Sequence, residues 1–153
     1  MRHIVLGFAF LTTFLLFSQN QTLKKEHYNL EKELAIQGYD PVSYFSNGKA
    51  LKGDKKFAHN HQGVIYLFIN EENKTAFQKE PIKYEPQYGG WCAYAMGESG
   101  KKIEVDPKTF KILDGKLYLF YNAYFTNTLK SWNQDEKNLK INADKNWQKI
   151  IQK

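Results

Sequence analysis

The chain is predicted to fold as an α+β module, with a small antiparallel sheet of hairpins, short helices and a C-terminal helical region. Three observations predict this. Two runs of strand-forming residues are each split by a two-residue turn signal, Gln62-Gly63 and Asp114-Gly115. Short helical stretches with polar starts precede each of them, at Asp40-Pro41 and at Asn70. Toward the C-terminus Leu139, Ala143, Trp147 and Ile150 recur at helical spacing. With 153 residues, 42% of them hydrophobic and 16% aromatic, there is material for one core in which large rings dominate.

Residues 1–18 read as a signal peptide. Arg2 and His3 precede the apolar run Ile4 to Phe17, and the small Ser18 precedes polar Gln19-Asn20-Gln21. The run is shorter than the roughly 20 residues a helix needs to span a bilayer, so no stable membrane anchor is expected after cleavage. The mature protein is expected to be periplasmic or secreted. The full chain has a formal net charge of +6, which comes from lysines spread along it. Together with export, that spread argues against a nucleic-acid partner. Residues 19–33 read as an N-terminal linker, in which Tyr28 and Leu30 are candidates for an edge strand, and residues 34–151 read as the domain.

Within the domain, Asp40 is expected to cap a one-turn helix that carries Val42, Tyr44 and Phe45 inward. Phe57 to His61 and Val64 to Ile69 form the first expected hairpin, whose second strand is apolar on both faces and therefore central. A two-residue turn places His59 opposite Tyr66, and strand alternation puts His59 and His61 on one face. Asn70 is the expected cap of a helix from Glu71 to Lys79 that ends before Pro81, with Ala76 and Phe77 facing the core. The second hairpin joins Phe110–Leu113 to Lys116–Tyr121. Asn122 is then expected to open a helical region containing Tyr124, Phe125, Leu129 and Trp132, followed by the final helix.

Pro86 to Gly97 holds the only cysteine. Gly89 and Gly90 allow a sharp turn into a helix over Trp91 to Met96, with Gly97 to close it and Glu98 to Lys102 as a flexible loop. Cys92 then sits in the first helical turn, where free amides and the helix dipole favour a thiolate. In an oxidising compartment a lone cysteine is buried and inert, bound to a metal or ligand, or paired with another molecule. Cys92 with His59, His61 and Met96 would offer thiolate, imidazole and thioether, a set suited to copper or another transition metal. The alternatives are a thiol enzyme or redox partner with Cys92 as nucleophile and His59 as base, although no second cysteine exists to resolve a disulfide, and a purely noncatalytic interaction domain. Tyr44, Tyr88, Trp91 and Tyr94 are candidates for lining a small-molecule surface, and serve equally well in a core. No phosphate-cradling loop, nucleophile elbow or zinc-protease helix occurs, so binding of a metal ion or small ligand is expected ahead of catalysis. The sequence names no protein partner.

Several stretches together resemble one family. Gly38-Tyr39-Asp40-Pro41-Val42-Ser43-Tyr44-Phe45, Gly63 with Tyr66 and Phe68, and Phe77 with Pro81 and Tyr84 are the first of them. Pro86-Gln87-Tyr88-Gly89-Gly90-Trp91-Cys92-Ala93, Asp106-Pro107 and Asp114 to Leu119 complete the set. In these residues the sequence resembles exported, YHS-domain-containing proteins of bacteria. The resemblance implies a compact α+β module and, for the wider group, metal handling. Cysteine-bearing relatives place ligands where this chain has Ser43, Ile69 and Asn73. Those soft ligands do not carry over.

Overall fold

The structure, a computed structural model, describes residues 24–152. The expected signal peptide and the first part of the expected linker lie outside the described residues. The α+β class is as expected, but one pairing in the main sheet is parallel. Strands β1 (Leu30–Glu31), β2 (Leu34–Ala35), β3 (Asp54–His61) and β4 (Val64–Phe68) form it in the order β1-β2-β4-β3. The β2–β4 contact runs parallel, Leu34 opposite Ile65, and the other two pairings are antiparallel. β4 is central, as its two-sided apolar sequence requires, with Val64, Tyr66 and Phe68 fully buried. His59 stands opposite Tyr66.

The helices follow their caps. Asn70 accepts from the Asn73 amide and starts α2 (Glu71–Lys79), which lays Phe77 on Tyr66 and Phe68. Pro81 does more than stop this helix. It opens the one-turn α3 (Pro81–Tyr84), where a missing amide proton is harmless.

Asp40 is not the N-cap of α1 (Ser43–Ser46), which begins after Val42, but braces the turn before it. Its Oδ1 accepts from the amides of Val42 (2.8 Å) and Ser43 (3.3 Å). Its Oδ2 accepts from the Ile69 amide (2.9 Å) and from Asn73 Nδ2 (2.7 Å). The carboxylate is wholly buried and fully bonded, the condition under which a buried acidic group is tolerated. It ties α1, the end of β4 and α2 at one point.

The second half is built on α4 (Ala93–Ser99), the hairpin β5 (Asp106–Leu113) and β6 (Lys116–Phe120), and α6 (Glu136–Ile151). Tyr118, Phe120, Trp132, Met96 and Ala143 form its core, with Leu139, Trp147 and Ile150 of the helical stripe packed on them. Gly97 does not end α4; Gly100 does, with φ of 70°. Gly97 instead lets α6 approach, since a Cβ there would lie 2.4 Å from the Leu139 carbonyl oxygen. Glu98 and Ser99, expected in a loop, belong to the helix.

Asn122 does not open a helix. Asn122–Ala123 (β7) pairs with Thr126–Asn127 (β8) in a tiny hairpin, and α5 (Thr128–Trp132) begins after Asn127, whose side chain accepts from the Leu129 amide. At its tip Tyr124 and Phe125 have φ of 48° and 67°. Lys32-Glu33, Gln62-Gly63 and Asp114-Gly115 turn through the same left-handed region, but here it falls on two aromatic residues, at a cost of roughly 1–2 kcal/mol each.

Candidate functional site

The turn Gln87–Gly90 sits where the first part of the described chain crosses the second half. Tyr88, Gly89 and Gly90 all have left-handed backbone, with φ of 54°, 59° and 85°. A Cβ on Gly89 would lie 2.8 Å from Tyr28 Cδ1 and 2.9 Å from Trp147 Cη2. The glycine therefore serves close approach as much as turning. Its carbonyl accepts from the Asn29 amide (2.8 Å), and the Gly90 carbonyl accepts from Asn29 Nδ2 (3.3 Å). Trp91 Nε1 donates to the His27 carbonyl (2.6 Å). Residues 24–29, expected as linker, are thus bonded into the fold.

Cys92 has no exposed surface. It is the N-cap residue of α4, its own amide donating to the Ile103 carbonyl. The sulfur accepts from the Tyr121 amide at 3.4 Å and lies 3.4 Å from Thr128 Oγ1. The Thr128 hydroxyl proton is already given to the Tyr121 carbonyl (2.9 Å), so the thiol is the donor to Thr128. Both bonding roles of the sulfur are used inside the fold. That answers the expectation of a primed thiolate: α4 has seven residues, and the thiol points into the core instead of into its open end.

The other expected ligands lie elsewhere. His59 and His61 sit on β3 with nearly parallel rings 6.3 Å apart, each edge-on to Phe77. His59 Nδ1 is 3.3 Å from Gln78 Nε2. Burial first, then Lys74 for His59 and Lys24 for His61, holds both imidazoles below their ordinary pKa and favours the neutral form. Met96 is fully buried in the second core, on a different cluster from Cys92. Among the described residues no three His, Cys, Asp or Glu side chains gather as a ligand set.

The four candidate rings are also distributed by packing. Tyr44 is buried, edge-on to Phe110, and its hydroxyl donates to the Pro107 carbonyl (2.9 Å). Trp91 packs against the second core, and Tyr94 packs against both cores. Tyr88 borders a cleft.

That cleft, about 380 Å³, opens between Gln87–Gly89 and α6. Tyr28 and Trp147 form its aromatic walls, with ring centroids 6.2 Å apart. Its polar lining includes Glu85, Asp144, Gln87, Gln148 and Lys116. Asp144 accepts from the Tyr88 hydroxyl (2.9 Å) and pairs with Lys140. Glu85 accepts from the Tyr66 hydroxyl (2.7 Å) and pairs with Lys24. Burial and then the Asp144 hydrogen bond hold the Tyr88 phenol far above its ordinary pKa, and burial and then Glu85 do the same for Tyr66. Both phenols stay protonated as donors.

Comparison with family models, with curated proteins and with solved structures gives no match. The lining chemistry therefore has to speak for itself. Among the described residues the cleft lining contains no serine, threonine, cysteine or histidine; its reactive groups include the carboxylates of Glu85 and Asp144, the Lys116 amine and the Tyr88 phenol. A larger groove of about 470 Å³ runs along α2, lined by Glu71, Glu72, Thr75, Lys79 and Glu80 with Ala76 and Tyr84. It is a surface furrow of flexible charged side chains, supplied mostly by one helix. The cleft draws on four separate segments instead. Of its lining, sequence reasoning found only Tyr88 as a candidate; Trp147 was read as packing, and Glu85 and Asp144 carry no local signal.

Proposed function

We propose that the chain is an exported, YHS-like domain of the bacterial cell envelope that holds a small polar ligand without transforming it. One observation carries the binding part: the Gln87–Gly90 turn builds a cleft whose walls are rings and whose floor is rich in acceptor oxygens. Two carboxylates, each already paired with a lysine (Glu85 with Lys24, Asp144 with Lys140), and two carboxamides beside Lys116 suit a small polar ligand that both donates and accepts hydrogen bonds, such as a polyol. The sealed thiol supports a noncatalytic reading.

The resemblance gains support from Asp40. Ser43, Ile69 and Asn73, where cysteine-bearing relatives carry ligands, come from two separate stretches of sequence and all bond to this one carboxylate. A carboxylate junction stands where the relatives would place soft metal ligands.

Trp147 reports on the cleft by fluorescence. Titration with putrescine, glycine and glycerol is expected to shift its emission for at least one of them, and Asp144→Asn is expected to weaken that response about tenfold. A flat response from all three, with crystals soaked in each showing an empty cleft, would remove the ligand reading.

A second reading has its own observation, the neutral, nearly parallel pair His59 and His61. A transition-metal ion such as copper would bind there through imidazole nitrogen, with Cys92 and Met96 taking no part. Zinc or copper titration that His61→Asn weakens and Cys92→Ala leaves unchanged is the expected result.

A further inference from the structure

Tyr124 is 89% exposed and Phe125 fully so, and neither ring belongs to a core cluster. They are not on a loose loop. Asn122 Nδ2 donates to Thr109 Oγ1 (2.9 Å), while the amide and hydroxyl of Thr128 both donate to the Tyr121 carbonyl. The base of the hairpin is therefore fixed to β5 and α5, and the two rings project from a rigid mount. Their backbone is left-handed at both positions, where asparagine and glycine form the same turn without strain. Turn chemistry does not account for a tyrosine and a phenylalanine there.

We propose that this tip is a wedge that docks the domain reversibly on an anionic lipid surface. A convex point of two side chains is far too small to supply the roughly 800 Å² per partner that a stable protein interface needs. A lipid interface instead deforms around it, and tyrosine and phenylalanine partition to the headgroup boundary. The charge is complementary. Exposed Lys108 adjoins Thr109 in sequence and exposed Lys130 lies within α5, two cations next to the residues that hold the mount, beside the carboxylate of Asp106 that accepts from Thr109. The contact is peripheral, since among the described residues no helix is long and apolar enough to cross a membrane. It does not depend on what the cleft holds.

The test uses the protein lacking residues 1–18, which contains every described residue of the fold. It is sedimented with vesicles of phosphatidylglycerol and phosphatidylcholine and with vesicles of phosphatidylcholine alone. Binding is expected to the anionic vesicles, to fall with added salt, and to drop at least tenfold in the double variant Tyr124→Asn, Phe125→Gly. That variant supplies the preferred turn residues, so an unchanged or raised Tm shows that the loss is not unfolding. Phe125→Trp is expected to shift its emission to the blue on anionic vesicles. No sedimentation of the unsubstituted protein, or equal sedimentation of the double variant, would overturn the proposal. So would self-association that the double variant abolishes in the absence of lipid, which would assign the tip to a second copy.

Discussion

Two regions concentrate bulky or special residues, and the fold treats them in opposite ways. Between Pro86 and Gly97 the conspicuous residues are consumed by packing: Cys92 is sealed, Gly97 admits α6, and Gly89 admits Tyr28 and Trp147. At Tyr124-Phe125 the rings are left outside on a backbone that resists them. Rarity in the sequence thus marks architecture at the first place. At the second, side chains that the turn itself does not want are the ones free to meet something else.

The comparison breaks if the inner stretch tolerates change. Gly97→Val is expected to cost about 3 kcal/mol in denaturant unfolding, because the atom in its way is the Leu139 backbone oxygen, which cannot swing aside. Gly89→Ala should cost about 2 kcal/mol, combining left-handed backbone with contacts to two rings. Gly115→Ala, at an open turn with nothing within 4 Å, should cost only about 1 kcal/mol and so separates crowding from turning.

The comparison is sharpened at Cys92 and at the tip. Cys92→Ala should destabilise by roughly 1.5 kcal/mol, and the native thiol should stay unreactive to a disulfide reagent until the protein unfolds. Fast native modification would return the sulfur to the list of reactive groups. Tyr124→Asn with Phe125→Gly should move the other way, raising stability by about 1 kcal/mol in a thermal melt. A fall would mean that the rings support the fold after all.

The smallest effect belongs to the histidines. His59 and His61 have pKa values held below the ordinary 6.5, so the unfolded chain binds protons more readily than the folded one. Their contribution is fully present above that value and is lost as pH falls below it toward the folded pKa. Tm should decline over that window, and His61→Asn should flatten the decline.

Much of the fold was legible because its signals are local. Gln62-Gly63 and Asp114-Gly115 marked hairpins through residues that accept positive φ, and Asn70 marked a helix start through a side chain that reaches its own N-terminal amides. The hairpins at Lys32-Glu33 and at Tyr124-Phe125 leave no mark in the sequence, because neither pair contains the turn residues its geometry favours. Gly97 was misread because a helix-ending glycine and a helix-packing glycine look alike until Leu139 is placed against it. The parallel β2–β4 pairing was missed because its partners, Leu34 and Ile65, are brought together only by the fold. The site was least legible. Lys24 meets Glu85 across 61 residues, Tyr88 meets Asp144 across 56, and Cys92 is closed off by Thr128 across 36. No local pattern encodes such meetings.

The Asp40 junction carries a physiological consequence. A knot tied by thiolates is complete only when a metal arrives, so the amount of folded protein follows the metal supply. A knot tied by a carboxylate, two backbone amides of its own turn, a strand-end amide and an asparagine is complete once the polypeptide has folded. At this crossing the chain carries its own fastener, one that four protein donors complete.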